Sequence, residues 1–585
     1  MITALRLGNF KAFSGTQTIP IRPLTLLFGA NSAGKSSIVH GLALAHHALE
    51  TGDLDVRYTR IGGETIDLGG FRQYVHRRDL ARRVEWAIEL DTASMAGPSA
   101  QLLRSVERVS MELTIGSRLE GDAPRGQARD LVVRVDTFTL TADGQPFLRM
   151  STRPDGRLRL DRLDHEHPIL RQALTGILSL STTAQSLQAE DFERLADVVD
   201  RVVPQIRGQV TGLLPQLAED LESEEDEGNP LVTVSRGQRN EDLERAVRLL
   251  FPKALRELVD RLTGQAAQAL RKLDYLGPLR SYPPRHLAFS EPQNLNWFAG
   301  GGFAWDMVRQ RRDVRDRVNE WLGAPERLKT PYELVVRELI PGPELPSEIG
   351  PRLSRVLHDV TAGLLRKVAE TEDPEELVRL AGDLTQEFDR LRERDPEILL
   401  PGVEGFLSSL ADADVLTDEW TRGILEQRAE LIQDLVLIDK RTLTPLSHRD
   451  VGIGVSQVLP VLVHAFAARN RWIAIEQPEI HLHPALQAEL GDVFLESALG
   501  EQRNHFLLET HSEHLILRIL RRIRETTDGE LPEGAQPVTP DQVAVLYVQP
   551  TKEGTEVIHI PITENGDFAH QWPEGFFPER ARELF

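Results

Sequence analysis

Leu24-Thr25-Leu26-Leu27-Phe28-Gly29-Ala30-Asn31-Ser32-Ala33-Gly34-Lys35-Ser36-Ser37 is the run on which the reading of the chain turns. The apolar segment Leu24 to Phe28 reads as a buried strand, and Gly29, Gly34, Lys35 and Ser36 keep the glycine, four residues, glycine, lysine, serine spacing of a phosphate loop. Glycines let the backbone turn tightly enough for successive N–H groups to face phosphate oxygens. A helix opening near Lys35 then turns its positive end to the same anion. Lys35 is placed to reach the β- and γ-phosphates, and the Ser36 hydroxyl to hold Mg²⁺. A plain strand-to-helix turn would not need the whole pattern followed by the apolar-rich helix Ile38 to Leu49.

Composition narrows the class. With 585 residues the chain has room for roughly three to five domains. A net charge of −22 argues against a chain wrapped throughout by nucleic acid, while leaving room for a local basic groove. The absence of cysteine removes disulfides, Cys-ligated zinc and thiol nucleophiles together. No charged-then-apolar leader opens the sequence, and no apolar run reaches the roughly 18 residues that a bilayer span needs. The expectation is a soluble, cytoplasmic protein without a membrane partner.

Working outward, Ile2 to Phe13 alternates as an antiparallel strand. Arg72, Arg77, Arg78, Arg82 and Arg83 cluster after the turn at Gly69-Gly70, either as a solvated face or as a nucleic-acid contact. Short alternating runs at Val84–Leu90, Val109–Ile115, Leu131–Leu140, Phe147–Met150 and Leu158–Leu160, separated by turn signals such as Asp143-Gly144, predict an antiparallel meander. Helical periodicity is expected from about Leu170 to Lys272, interrupted by the acidic, solvated stretch Glu219 to Pro230. Tyr275 to Arg280 reads as a strand returning to the core and leaving by the Pro283-Pro284 turn. Arg280 and Arg285 are either junction residues or phosphate contacts.

A second helical block spans about Val308 to Gln433. It includes a helix capped by Asp373, with Pro374 in its first turn and Leu377, Leu380, Leu384, Phe388 and Leu391 as its apolar stripe. The expected division is an N-terminal lobe at 1–165, a helical insertion at 166–272, a return to the core at 273–305, a second helical insertion at 306–440 and a C-terminal lobe at 441–585.

The C-terminal lobe carries three polar clusters. Asp450 to Gln457 is a glycine-rich turn into an apolar helix. Trp472 to Ile475 is a buried-strand run ending in Glu476-Gln477-Pro478-Glu479-Ile480-His481-Leu482-His483-Pro484. Phe506 to Leu508 ends in Glu509-Thr510-His511-Ser512-Glu513-His514. Clusters directly after buried parallel strands lie where open α/β sheets bind ligands.

Together these motifs resemble the ABC-type ATPase heads of the SMC, RecF and OLD group, in its stand-alone prokaryotic branch. The ending Trp572-Pro573-Glu574-Gly575-Phe576-Phe577 is similar to that of one subfamily there. The resemblance implies an α/β fold, a P-loop ABC-type head with an antiparallel β subdomain and a large inserted helical domain. It implies ATP and Mg²⁺ as ligands, held in cis by Gly29, Ala30, Asn31, Ser32, Ala33, Gly34, Lys35, Ser36 and Ser37. Glu476 joins Ser36 at the metal, and His511 is the switch histidine that senses the γ-phosphate. Gly452, Gly454, Ser456 and Gln457 match the signature turn that caps the nucleotide of a partner subunit. Aligning helix starts puts Gly452 at the signature serine's position, with Ser456 one turn later. ATP-dependent head dimerisation, a separate effector protein of a DNA-associated or anti-phage defence kind, and DNA itself are the partners it implies.

One departure matters. The family commonly has glutamate where Gln477 stands, and an amide cannot take the proton of an attacking water. Either Glu479 is the base, or hydrolysis is slow and ATP chiefly holds a dimer closed, as an ATP-gated scaffold would; slow hydrolysis is the favoured reading. Glu479, His481, His483, His511 and His514 have the composition of a metal site, but as strand-end loops of an ATPase they read more simply as phosphate-sensing and dimer-contact residues, and His46 and His47 as structural. An OLD-like metal-dependent nuclease is disfavoured, because no further acidic constellation follows the strands Val543–Val548 and Val557–Ile562.

Overall fold

The computed structural model describes residues 2–93, 103–120, 130–179, 198–200, 203, 206–210, 212–217, 239–280, 296–339, 432–570 and 572–573. The chain divides into two units, one made of Met1–Tyr282, Pro292–Glu333 and Asp439–Phe585, the other of Pro283–Glu291 and Leu334–Ile438. In the second, Arg337 on the strand Tyr332–Leu339 pairs with Asp434 on the strand Ile432–Asp439 at 2.7 Å.

Among the described residues, two large sheets frame the first unit. Its six-stranded sheet has the order Leu273–Leu276, Trp472–Glu476, His505–Glu509, Leu24–Phe28, Val543–Pro550, Thr555–His559. The first five strands are mutually parallel and the last is antiparallel. Leu24–Phe28 and His505–Glu509 are buried at every position, the pattern of strands covered on both faces. The helices Ser36–Thr51, Ile453–Ala467, Pro484–Leu499 and Glu513–Asp528 join or flank these strands.

A nine-stranded sheet carries the meander, in the order Pro215–Leu217, Arg207–Val210, Leu158–Leu163, Gln145–Thr152, Asp130–Ala142, Arg108–Glu120, Val84–Asp91, Ile2–Gly8, Gln17–Pro20. Its alternating faces bury Trp86, Met111, Leu113, Phe138, Leu140 and Met150. The indole of Trp86 donates to the carbonyl of Gly41 at 3.2 Å, which fastens this sheet to the helix Ser36–Thr51. A Cβ at Gly41 would stand 2.7 Å from a methyl of Leu7, so glycine lets this helix pack close to the strand Ile2–Gly8.

Two corrections concern the stretch read as helical from Leu170 to Lys272. The helices Pro168–Ser179 and Arg239–Arg271 lie within it, but Arg207–Val210 and Pro215–Leu217 are strands that extend the meander. Pairing with the free edge of Leu158–Leu163 overrides weak local propensity there. The acidic stretch 219–230, the 283–285 turn with Arg285, and the helix expected from Asp373 lie outside the described residues.

Among the described residues no helix is long and apolar enough to cross a membrane.

Candidate active site

The parallel strands end along one edge of the six-stranded sheet, and their C-terminal residues assemble the site. Glu476 and Glu509 are direct register partners, and Glu509 pairs in turn with Leu27, one residue before the strand Leu24–Phe28 ends. The loop from Gly29 to Lys35 rises from that edge into the helix Ser36–Thr51, whose first turn carries no acidic side chain to compete with a bound anion.

The loop's two glycines are required by geometry. Gly29 has φ +143°, and a Cβ there would stand 2.3 Å from the carbonyl oxygen of Val548. Gly34 has φ +104°, and a Cβ there would stand 2.6 Å from the Cβ of Ala12. Thr555 supports the loop from behind by donating its hydroxyl to the carbonyl of Ala33 at 2.9 Å. Phe28 stacks edge-on to Trp572, ring centres 5.4 Å apart, so the C-terminal segment props the strand that feeds the loop.

Lys35 is only 3 % exposed, and its ammonium donates to the carbonyls of Gly29 and Ala30, both at 3.0 Å. Burial lowers its pKa, against the opposing pull of Glu509, Glu476 and Glu479. The Ser36 hydroxyl donates to Glu509 Oε2 at 2.8 Å, while Lys35 Nζ stands 3.8 Å from Glu509 Oε1. Glu476 accepts from the Tyr275 hydroxyl at 3.0 Å. Burial, and then the neighbouring Glu509, push its pKa up to about 7. Ser36, Glu476 and Glu509 offer only hard oxygen donors at the foot of the loop, the donor set that suits Mg²⁺.

Gln477 sits just beyond Glu476 with φ +47°, its N–H donating to the carbonyl of Glu509 at 2.7 Å. Glu479 is not poised as a base. Its Oε2 accepts from Thr510 Oγ1 at 2.9 Å and its Oε1 from the N–H of His511 at 2.7 Å, in a position 8 % exposed. This carboxylate holds the backbone from which His511 projects, and burial raises its pKa. His511 keeps part of its surface open to solvent, while partial desolvation of its ring, and then the Lys35 charge, lower its pKa.

The glycine-rich turn separates into two groups. Gly452 caps the helix Ile453–Ala467 and is exposed. Gly454 gives way to the backbone of His481, whose carbonyl oxygen a Cβ would approach to 2.7 Å. Ser456 and Gln457 face inward, the hydroxyl donating to the His448 carbonyl at 2.6 Å and the amide to the Arg280 carbonyl at 3.2 Å. The apolar helix buries both side chains, whereas Gly452 stays at the surface.

Arg280 is likewise a clamp rather than a phosphate contact. Its guanidinium donates to the carbonyls of Gln457, Glu476 and Gln477 at 3.0, 3.1 and 3.0 Å, and burial lowers its pKa to about 10. His483 Nδ1 accepts from the N–H of Ala485 at 3.3 Å and caps the next helix. His46 and His47 are buried on the helix Ser36–Thr51.

Lys11, with φ +45°, donates to His40 Nδ1 at 2.6 Å. Burial brings Lys11 down to about 8 and His40 to about 3, which keeps the imidazole a neutral acceptor. Lys11, Arg77 and Arg78 line an open groove of about 760 Å³; the next residue, Ala12, packs against Gly34, which sets the groove beside the phosphate loop.

The arginines at 309–317 and 518–524, whose charge pattern fits solvated helix faces and DNA contacts equally, make partners within their own chain. Arg518 pairs with Glu489 and Asp492 at 2.9 and 2.5 Å, and Arg522 with Asp492 and Glu525 at 2.8 and 2.7 Å. Arg521 pairs with Glu525, Arg317 with Glu320 and Glu496, Arg312 with Asp316, Arg311 with Asp313 and Arg309 with Asp306. Arg315 donates to the carbonyl of Val308 at 2.7 Å, and Arg524 stays exposed.

Motif spacing assigns no site role to Glu509 or Tyr275, which the fold brings to the sheet edge. The signal for Glu509 was present: two buried-strand runs ending in the same acid at the same edge.

Residues 260–518 match the family model described as "AAA domain, putative AbiEii toxin, Type IV TA system". Residues 538–585 match "Protein of unknown function (DUF3696)". No curated protein matches the chain. Among solved structures, the chain is similar to an Smc head domain with an extended coiled coil, bound to the C-terminal domain of ScpA, from Pyrococcus furiosus. There the identity is 10 %, the coverage 100 % of this chain and 98 % of that one, and the TM-score 0.32. For the SMC head domain from Thermotoga maritima the identity is 8 %, the coverage 96 % and 99 %, and the TM-score 0.30. An Smc head with a coiled coil and joint from Pyrococcus yayanosii gives 11 %, 97 % and 98 %, and 0.28. The α/β fold rests on the chain's own sheet order and phosphate loop.

Proposed function

We propose, from the chain's own phosphate loop and the match of residues 260–518 to an AAA-domain family model, that it binds Mg-ATP on the Gly29–Ser37 loop and hydrolyses it slowly. Nucleotide-driven pairing of two heads then controls an effector supplied by another protein. The observation that carries this reading is the junction of loop and sheet edge, where Lys35 rests on the carbonyls of Gly29 and Ala30 while Ser36 faces Glu509 and Glu476 stands in register beside it.

Lys35 exchanges those carbonyls for phosphate oxygens when ATP enters, and the N–H groups of the loop and of the first helical turn take the remaining charge. The base and ribose lie in the groove beside Lys11, whose volume falls in the usual range for small-ligand sites. Mg²⁺, when bound with ATP, neutralises charge developing on the β- and γ-oxygens. Ser36 and Glu476 would hold it. Gln477 orients water without accepting its proton, and Glu479 is committed to Thr510 and His511, which supports slow turnover. Exposed Gly452, at a free helix start, supports head-to-head capping of a partner's nucleotide. The AbiEii description of the matched family supports a defence-type setting for the effector. The internal ion pairs of the arginine clusters leave DNA without support from those residues.

Gln477→Glu tests the reading. A proton acceptor restored beside the water should raise phosphate release by about 10²-fold, the lower end of what a general base contributes, with ATP affinity within roughly threefold of the parent. An unchanged rate would overturn the account of slow hydrolysis. A parent that binds ATP and dimerises but releases no phosphate would favour the ATP-gated scaffold.

A further inference from the structure

In the P-loop arrangement the hydroxyl of the loop serine and one strand-end acid hold the metal. Here the Ser36 hydroxyl turns to the neighbouring strand's acid, Glu509, and not to Glu476. Glu509 is 7 % exposed and has Lys35 at 3.8 Å as its nearest cationic neighbour. Its strand is hydrogen-bonded on both sides, to Trp472–Glu476 and to Leu24–Phe28, so the carboxylate is held on rigid backbone.

We propose that Glu509 is the positioning acid of the Mg²⁺ site, a role that rests on the ATPase reading above. A serine hydroxyl has one proton and two lone pairs. With the proton committed to Glu509 Oε2, both lone pairs are left for the cation. An alcohol bound to a divalent cation also becomes a stronger donor, so the same hydrogen bond tightens when metal arrives. Once Lys35 moves to the phosphates, Glu509 is released from that partner, and its charge adds to that of Glu476 on the metal's protein side. The site therefore discriminates metal-loaded from metal-free nucleotide more sharply than a single acid would. Metal-free ATP would place its phosphates against the Glu509 carboxylate with Glu476 beside it, whereas Mg-ATP would bring a cation between the phosphates and both acids.

The test is binding rather than turnover. Mn²⁺ serves as the probe, its free signal followed by electron paramagnetic resonance, with the full-length protein and a non-hydrolysable ATP analogue. Glu509→Gln keeps the shape and an acceptor oxygen but loses the charge. It should weaken Mn²⁺ binding about tenfold or more, the scale of an outer-shell ligand change, while binding of the analogue in chelator stays equal or tightens. Opposite movement of the two affinities is not expected of a purely structural residue. Glu509→Asp, which retains charge on a shorter stem, should fall between parent and Glu509→Gln, and it carries the test if the amide variant does not fold. Mn²⁺ affinity within twofold of the parent in the folded variant would overturn the proposal alone. A parent without nucleotide-dependent Mn²⁺ binding would overturn the ATPase reading and this inference with it.

Discussion

Lys35→Ala is expected to lower ATP affinity at least about 100-fold, on the basis of roughly 3 kcal/mol for charge-assisted hydrogen bonds to phosphate. The ammonium is held at the root of the loop by two backbone carbonyls and is nearly inaccessible to water. It thus reaches phosphate from a desolvated position, where charge counts for more than at a surface. Alanine leaves Glu509 facing the phosphates without its cation, so the loss exceeds that of one ordinary ligand contact. Lys35→Arg should restore little, because a planar guanidinium does not fit where a compact ammonium sits between the carbonyls of Gly29 and Ala30. Titration of a fluorescent ATP analogue, with circular dichroism as the folding control, measures this directly. Affinity within threefold of the parent would remove Lys35 from the site.

The second large effect lies at the far end of the sequence. Trp572→Ala should destabilise the core by about 3 kcal/mol, the lower end for deleting a buried tryptophan side chain. The indole is 7 % exposed and packs on Phe28, Tyr547 and Phe568 at ring-centre distances of 5.4, 5.7 and 5.0 Å. Phe28 and Tyr547 are themselves paired across adjacent parallel strands, so one cavity would loosen two strands of the sheet. Because Phe28 directly precedes Gly29, the change should also weaken ATP binding, whereas a merely stabilising tail would leave binding in the folded fraction untouched. Trp572→Phe, which keeps most of the aromatic contact, should recover most of both losses. Denaturant titration and analogue binding on the same samples separate the two effects.

The parts legible in the sequence are those whose chemistry is local. A glycine spacing that only a tight turn tolerates, and an apolar run that only a doubly covered strand explains, locate Leu24–Phe28 and the loop before any fold is known. The meander was legible for the same reason, since alternation reports a half-buried strand wherever it occurs. Arg207–Val210 and Pro215–Leu217 were not, because their strand character comes from an edge many residues away in sequence.

Side-chain direction was the other blind spot. Ser456 and Gln457 lie on a helix apolar enough to be swallowed, and Arg280, Arg518 and Arg522 carry charge that sequence alone cannot distinguish from solvated charge. Glu509 is legible in the sequence as a strand-end acid, but its place beside Glu476 and under Ser36 comes from register.

Steady-state phosphate release from Mg-ATP by the purified full-length chain, with Lys35→Ala as the blank, tests the ATPase assignment most directly. The expected result is turnover clearly above that blank and slower than roughly 1 s⁻¹, below the usual enzymatic range. Release indistinguishable from the blank would contradict it.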